Sequence, residues 1–309
     1  MESLVVLFGP TAVGKTALSL PIAHALDAEI VNVDSRQLYR YMDIGTAKPT
    51  LSQRAQVPHH LLDLFLPNQR STAAQFVEAA KKVLDTLQQR GKRALIVAGS
   101  GLYLQALLYG LMPVPAADEP LRQKLYAYAD RYGAPALHSR LQQVDPVAAA
   151  HYHPHDRVRL VRALEVTYLT GEPFSSHRQR HQRQGQNYPY RGIALTRERA
   201  ELYTRIAERT DAMLAAGWLE EVKALVARGY TRECAAMNSL GYRELLTYLS
   251  GQASWLDTVM AIKQATRRFA KRQFTWLRKF PHLHGMNLSA YDEKAAIASI
   301  IERLLQTVP

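Results

Sequence analysis

The chain opens with an apolar run, Leu4-Val5-Val6-Leu7-Phe8, short and rich in branched residues. A run of this kind, without polar alternation, predicts a strand covered on both faces, as in a parallel sheet. Glycines follow at once, and then a helical pattern from about Lys15 to Leu26. A second strand is predicted over Glu29–Val33, ending at Asp34. A third is predicted over Arg93–Ala98, ending at Gly99 and leading into a helical Leu102–Leu108. Strand alternating with helix implies an α/β layer structure with right-handed crossovers.

Around Pro113-Val114-Pro115 the pattern changes to helical segments rich in Arg, His and Gln, which continue to about Tyr190. Arg191–Leu195 reads as a short strand returning to the sheet, and the remainder reads as mainly helical. The expected organisation is therefore an α/β core made of residues 1–114 and 191–309, with an inserted, mostly helical domain over 115–190. The polar stretch Ser175–Tyr188 is expected to be an exposed loop, with Gly185 and Pro189 as breakers.

A chain of 309 residues buries a substantial core without help from a metal or disulfide. Its single cysteine, Cys234, has no internal partner and fits a reducing compartment. No stretch approaches the roughly twenty apolar residues of a membrane span, and Met1–Phe8 lacks the pattern of a signal peptide, so the expected location is the cytoplasm with no membrane partner. The formal charge is +12. Distribution sharpens that number: Arg157–Arg199 holds nine arginines, and Lys263–Lys279 holds seven basic residues and no acid. Two basic zones suit an extended polyanion such as a nucleic acid, although charge alone also fits a basic protein with no such partner.

Gly9-Pro10-Thr11-Ala12-Val13-Gly14-Lys15-Thr16 fits the phosphate-loop pattern G-x-x-x-x-G-K-[ST], between a predicted strand and a predicted helix. In such a loop, backbone N–H groups and the helix N-terminus face phosphate oxygens. Lys15 would supply a full charge and the Thr16 hydroxyl would ligate Mg²⁺. The motif indicates phosphate and not ATP in particular. The strand Ala94–Ala98 ends in Gly99-Ser100-Gly101 and not in the metal-site aspartate of a nucleoside triphosphatase, which demotes a motor or switch and leaves a small-molecule kinase open.

Asp34 falls at the carboxyl end of the second strand, where open parallel sheets place reactive groups beside the first loop. It is a candidate general base, with turn capping or a role behind a metal as alternatives. The adjacent histidines His59-His60 would point to opposite faces of a strand, which favours packing or hydrogen bonding over one shared metal. On the helix beginning near Thr196, Leu202, Ile206, Arg209 and Met213 share an inward stripe. A guanidinium there needs an anion, either a ligand or a protein carboxylate. Farther on, Lys263, Arg267, Lys271 and Arg278 approximate one basic face, with Phe269, Phe274 and Trp276 elsewhere on the helix.

Taken in order, GPTAVGKT, DSRQLY, MDIGTAKP, HHLLD, GSGLY, DRVRLVRALEV and NSLGYREL resemble the blocks of the bacterial tRNA dimethylallyltransferase family, from about Leu4 to Leu283. The resemblance implies a P-loop NTPase-like parallel sheet core flanked by helices, with an inserted helical tRNA-binding domain. It implies transfer of a dimethylallyl group from dimethylallyl diphosphate to N6 of the adenosine 3′-adjacent to the anticodon in tRNA, with Mg²⁺, by a monomer. By matching motif, Gly9–Thr16 would bind the diphosphate. Asp34, Lys15, Thr16 and Arg209 would be catalytic, with Asp34 the general base. The implied tRNA contacts are Asp34, Ser35, Arg36, Gln37, Ser100 and Arg122; Arg157, Val158, Arg159, Leu160 and Val161; and Asn238, Ser239, Leu240, Gly241, Tyr242 and Arg243. One departure is visible, in that Ala98-Gly99-Ser100-Gly101 stands where the family commonly has G-G-T-G. The rival readings are a nucleotide or metabolite kinase, which leaves the basic lobe unexplained, and a non-catalytic RNA-binding protein, which leaves the phosphate loop unexplained.

Overall fold

The apolar run Leu4–Phe8 forms strand β1, and all but its first residue is buried. Around it grows a six-stranded, wholly parallel sheet in the order β3-β2-β4-β1-β5-β6. The other strands are β2 (Ala28–Val33), β3 (His59–His60), β4 (Arg93–Ala98), β5 (Tyr190–Thr196) and β6 (Leu283–Asn287). The computed structural model describes residues 3–306, so the first two and last three residues of the core assigned from sequence lie outside the described residues.

Helices cover the sheet because a parallel strand order needs crossovers. In chain order they are α1 (Lys15–Ala25), α2 (Leu51–Gln56), α3 (Ala73–Gln89) and α4 (Gly101–Tyr109), then α5 (Glu119–Tyr132), α6 (Ala134–Val144), α7 (Pro146–His151), α8 (Arg157–Thr170) and α9 (Phe174–Arg183). After β5 come α10 (Arg199–Ala215), α11 (Trp218–Ala227), α12 (Tyr242–Leu249), α13 (Trp255–Leu277) and α14 (Glu293–Gln306). Helix starts are marked by side chains that take otherwise unpaired N–H groups, such as Thr72 with Gln75 at α3 and Asp118 at α5. The sheet core joins Val5, Leu7, Leu95, Ile193 and Leu195 to Leu18, Ile22, Ile300 and Leu304 from α1 and α14. Among the described residues no helix is long and apolar enough to cross a membrane.

Two compact units result. One runs to Leu108 and resumes at Tyr188, and the other is Tyr109–Asn187. The division falls a few residues before 115 and 190, the bounds drawn from sequence pattern. The second unit is helical, with a core of Leu125, Leu137, Leu141, Leu160, Leu164 and Phe174. Its fully buried Glu165 accepts from Arg122 Nε and Nη2 at 2.9 and 3.0 Å, from Arg162 Nη1 and from the Asp118 N–H.

Two expectations need correction. Ser175–Tyr188 is not one loop, because α9 extends to Arg183. It reads as loop because only Phe174 of the helix is buried, so no apolar period exists to mark it. Gly185, at φ 78°, stands two residues past the end of the helix. Second, β6 escaped notice in a region read as helical, because it is an edge strand in which only Met286 is buried. Strand β3, formed by the histidine pair, is two residues long, too short to leave a periodic signal.

Candidate active site

Parallel topology brings the carboxyl ends of β1, β2, β4 and β5 to one edge of the sheet, where Gly9, Asp34, Gly99 and Arg197 follow the four strands. In the phosphate loop, Ala12 and Gly14 adopt left-handed conformations, with φ of 63° and 116°. Those turns direct the loop's carbonyls toward cations. Lys15 Nζ donates to Gly9 O and Pro10 O at 2.8 and 2.9 Å, Arg205 Nε to Ala12 O at 3.0 Å, and Arg197 Nε to Val13 O at 2.9 Å. With the carbonyls taken, the N–H groups of Ala12, Gly14, Lys15 and Thr16 have no hydrogen-bond partner among the described residues. Four unpaired amides at the start of α1 make an anion cradle. Gly9, Pro10 and Val13 are buried beneath it and act as its frame, while Thr11, Ala12, Gly14, Lys15 and Thr16 line the cleft.

Asp34 divides its two oxygens between structure and chemistry. Oδ1 accepts the N–H groups of Arg36 and Gln37 at 2.8 and 3.4 Å, the turn-capping role. Oδ2 has no hydrogen-bond partner among the described residues. A methyl group placed on Gly99 would lie 3.3 Å from Asp34 Oδ2, 3.6 Å from Gln273 Nε2 and 3.7 Å from Lys15 Nζ. One point beside Gly99 therefore sees a carboxylate, an amide and an ammonium together. Ala98, the departure from the family pattern, is buried in β4 between its partners Phe8 and Val33.

This point opens into a cleft of about 820 Å³. Lys15, Arg36, Arg205, Arg209, Arg243 and Arg272 line it, against the carboxylates of Asp34 and Glu208. Burial pushes the Lys15 ammonium down to about 8, opposed by Asp34 and reinforced by Arg209. Arg209 is likewise lowered by burial, with Asp34 opposing. Arg209 makes no ion pair with a protein carboxylate among the described residues. Lys15 and Arg209, both disfavoured as cations by burial and opposed only by Asp34, suit an anionic ligand. On α10, Leu202 and Ile206 are buried and Met213 lines the cleft beside Arg209, so the inward stripe runs from core to site.

Asp34, Ser35, Arg36, Gln37, Ser100, Asn238, Ser239, Leu240, Tyr242 and Arg243 all contribute to the cleft wall. Several are engaged in shaping it. Ser100 Oγ accepts the Ser35 N–H at 3.0 Å, and Gln37 Nε2 donates to Thr46 O and Ala47 O. Tyr242 is fully buried and donates to Glu221 at 2.6 Å. Gly241 frames Trp218: a Cβ on Gly241 would fall 2.0 Å from the indole Cη2, and one on Gly45 2.0 Å from Nε1. The glycines of MDIGTAKP and NSLGYREL are thus fixed by one tryptophan edge that leaves no room for a methyl.

Residues 157–161 and Arg122 belong to the helical unit and not to this cleft wall. Arg122 is committed to Glu165, and Arg157 to Asp130 and the Tyr126 carbonyl. Leu160 and Val161 are core. Val158 is 68% exposed, and Arg159, paired with Asp156, is also exposed, so these two present side chains to solvent.

Sequence reading missed the supports. Glu221 of α11 accepts the N–H groups of Asp43, Ile44 and Gly45 as well as the Tyr242 hydroxyl. Lys48 is buried between the Tyr39 carbonyl, Asp43 and Asp63. Arg197, Arg205 and Gln273 hold the phosphate loop. The partners of Glu221, Arg197, Arg205 and Gln273 lie far apart in the chain, so spacing carries no signal of them. The histidine pair is hydrogen-bonded, His60 to Glu29 and His59 to the Val57 carbonyl. On α13, Phe274 packs on the core, Trp276 covers Gly101 and Phe269 faces the cleft; Lys263 pairs with Asp211.

The donor set fits a magnesium ion carried largely by its ligand. Among the described residues no cluster of three or more His, Cys, Asp or Glu could hold a metal. The cleft does present the Thr16 hydroxyl beside the amide cradle. With one protein hydroxyl, phosphate oxygens of the ligand and waters, several of which Mg²⁺ usually keeps, would complete its shell.

Known proteins agree with this architecture. The IPP transferase family model matches residues 37–280, beginning just after the phosphate loop and Asp34. A tRNA dimethylallyltransferase of Geobacter metallireducens is 47% identical over 276 residues, covering 89% of each chain. One from Symbiobacterium thermophilum is 46% identical and covers 98% of this chain and 95% of its own. The crystal structure of a tRNA isopentenylpyrophosphate transferase from Bacillus halodurans superposes with a TM-score of 0.72 at 36% identity, covering 99% of this chain and 96% of that one. A eukaryotic dimethylallyltransferase acting on tRNA superposes at 0.81 with 26% identity, covering 100% of this chain and 81% of that one. Sequence blocks, sheet order and the cleft they build converge with these matches, and the chain belongs to the IPP transferase family of transferases.

Proposed function

We propose that this protein transfers the dimethylallyl group of dimethylallyl diphosphate to N6 of the adenosine 3′-adjacent to the anticodon in tRNA, releasing diphosphate. The observation that carries the reading is the pairing of an amide cradle and Lys15 with the unpartnered Oδ2 of Asp34 around Gly99. The relatives' names support the same substrates.

An adenine amine is a weak nucleophile because its lone pair is delocalised into the ring. Reaction therefore needs a base for its proton and a stabilised leaving group. The N6 lone pair attacks the allylic carbon, the carbon–oxygen bond to the diphosphate breaks, and the N6 proton passes to Asp34 Oδ2. Lys15, Arg209 and the free amides of Ala12, Gly14, Lys15 and Thr16 stabilise charge gathering on the departing diphosphate. Mg²⁺, held by the Thr16 hydroxyl and the diphosphate, would add to that neutralisation. The adenine must leave its stack to enter the cleft, at a cost of roughly a few kcal/mol. Arg36, Arg243 and Arg272 around the cleft, together with the exposed Arg159, supply contacts to tRNA phosphates that offset this. We take the protein to act as a monomer in the cytoplasm.

The test is incubation of the protein with dimethylallyl diphosphate, Mg²⁺ and an unmodified anticodon stem–loop RNA, followed by nucleoside analysis and diphosphate assay. The expected result is N6-dimethylallyladenosine in equal amount to released diphosphate. Phosphate release from ATP with no prenylated nucleoside would contradict the reading.

A further inference from the structure

One buried side chain at the centre of the site has no part in this chemistry. Gln273 of α13 is 4% exposed, yet both ends of its amide are used. Oε1 accepts the Thr11 N–H at 2.9 Å, and Nε2 donates to the Gly99 carbonyl at 2.7 Å. A single amide thus bolts the phosphate loop, which follows β1, to the residue that follows β4. The point beside Gly99 that Nε2 approaches is the one that Asp34 Oδ2 and Lys15 Nζ also face. A side-chain amide offers a fixed donor and acceptor together, and Gln273 has the reach to span both.

We propose that Gln273 is a positioning residue that sets the distance between the diphosphate cradle and the general base. The inference rests on the proposed prenyl transfer. Two consequences follow from the hydrogen bonds. Because Oε1 occupies the Thr11 N–H, that amide stands outside the cradle, which consists of the N–H groups of Ala12, Gly14, Lys15 and Thr16. Loss of the bolt therefore leaves anion affinity largely intact while it degrades alignment, and alignment errors of about 1 Å cost up to about a hundredfold in rate. The same helix carries Arg268, Lys271 and Arg272 as exposed cations, so its placement also couples the basic surface to the phosphate loop.

Gln273→Met keeps the length and volume of the side chain and deletes both hydrogen bonds. The expected result is a kcat lower by about tenfold or more, with KM for tRNA and Kd for inorganic pyrophosphate each within about threefold of wild type. Hydrogen exchange in the segment Leu4–Thr16 of the free protein should quicken by about tenfold or more, reading the clamp without turnover. An unchanged kcat in an active wild-type background would overturn the proposal. So would a pyrophosphate affinity that falls in step with kcat, which would return the Thr11 amide to the cradle. If wild-type protein transfers nothing, the prenyl-transfer reading fails on its own, and unchanged exchange in the variant then refutes the clamp separately.

Discussion

Replacing Asp34 by Asn tests the division of labour between its two oxygens. Asn keeps an oxygen able to accept from the Arg36 and Gln37 N–H groups, at 2.8 and 3.4 Å, so the turn after β2 should survive. Its amide nitrogen replaces Oδ2 and cannot take a proton. A positioned general base contributes about 10²–10⁴-fold, or about 2.7–5.4 kcal/mol at 1.36 kcal/mol per tenfold. The expected single-turnover rate at pH 7, with both substrates saturating, is therefore at least about a hundredfold below wild type. A second effect follows from charge. Asp34 pulls the Lys15 pKa upward against burial, so the variant should lose diphosphate affinity at a lower pH than wild type does. Equilibrium binding of tRNA, measured by filter retention, should change little. A rate within threefold of wild type would remove Asp34 from the proton transfer. A collapse of tRNA affinity at unchanged rate would make it a recognition residue.

The Lys15 ammonium, pushed to about 8 from 10.5, is charged below that pH and neutral above it. Its folded value lies below its unfolded one, so Lys15 weighs against folding at pH below about 8, and that cost disappears between about 8 and 10.5. Calorimetric affinity for dimethylallyl diphosphate should fall by up to about tenfold per pH unit above 8, and Lys15→Arg should flatten that fall; a wild-type affinity constant from pH 7 to 10 would contradict it. Gly45→Ala would put a methyl 2.0 Å from the Trp218 indole nitrogen. It should cost about 1–3 kcal/mol in urea unfolding, and an unchanged midpoint would show that Trp218 shifts freely. Arg122→Ala strips one guanidinium from buried Glu165 and should destabilise the helical unit by about 3 kcal/mol in unfolding followed by circular dichroism. Arg159→Ala should leave stability alone and lower the salt dependence of tRNA binding by about one unit of slope; the opposite assignment would reverse the structural roles of these two arginines.

What the sequence made legible follows from range. The phosphate loop, β1, β2, β4 and β5 announce themselves through local runs and a contiguous motif, and Asp34 through its place at a strand end. Arg209 was readable because α10 repeats Leu202, Ile206 and Met213 at helical spacing. Gln273 and Glu221 were not, since each earns its role by contacts with backbone amides more than a hundred residues away. Tyr242 and Gly241 were read as tRNA contacts. In the fold their nearest duties are to Glu221 and Trp218, a distinction that motif spacing does not carry. Helix α9 and strand β6 were lost for the opposite reason: each buries a single side chain, so neither leaves a periodic trace.

The most direct test of the account is transfer of label from dimethylallyl diphosphate to two anticodon stem–loop RNAs that differ only at the adenosine 3′ of the anticodon. The account predicts label in the RNA that carries the adenosine and none in its counterpart. Equal labelling of both, or none in either while ATP is consumed, would contradict it.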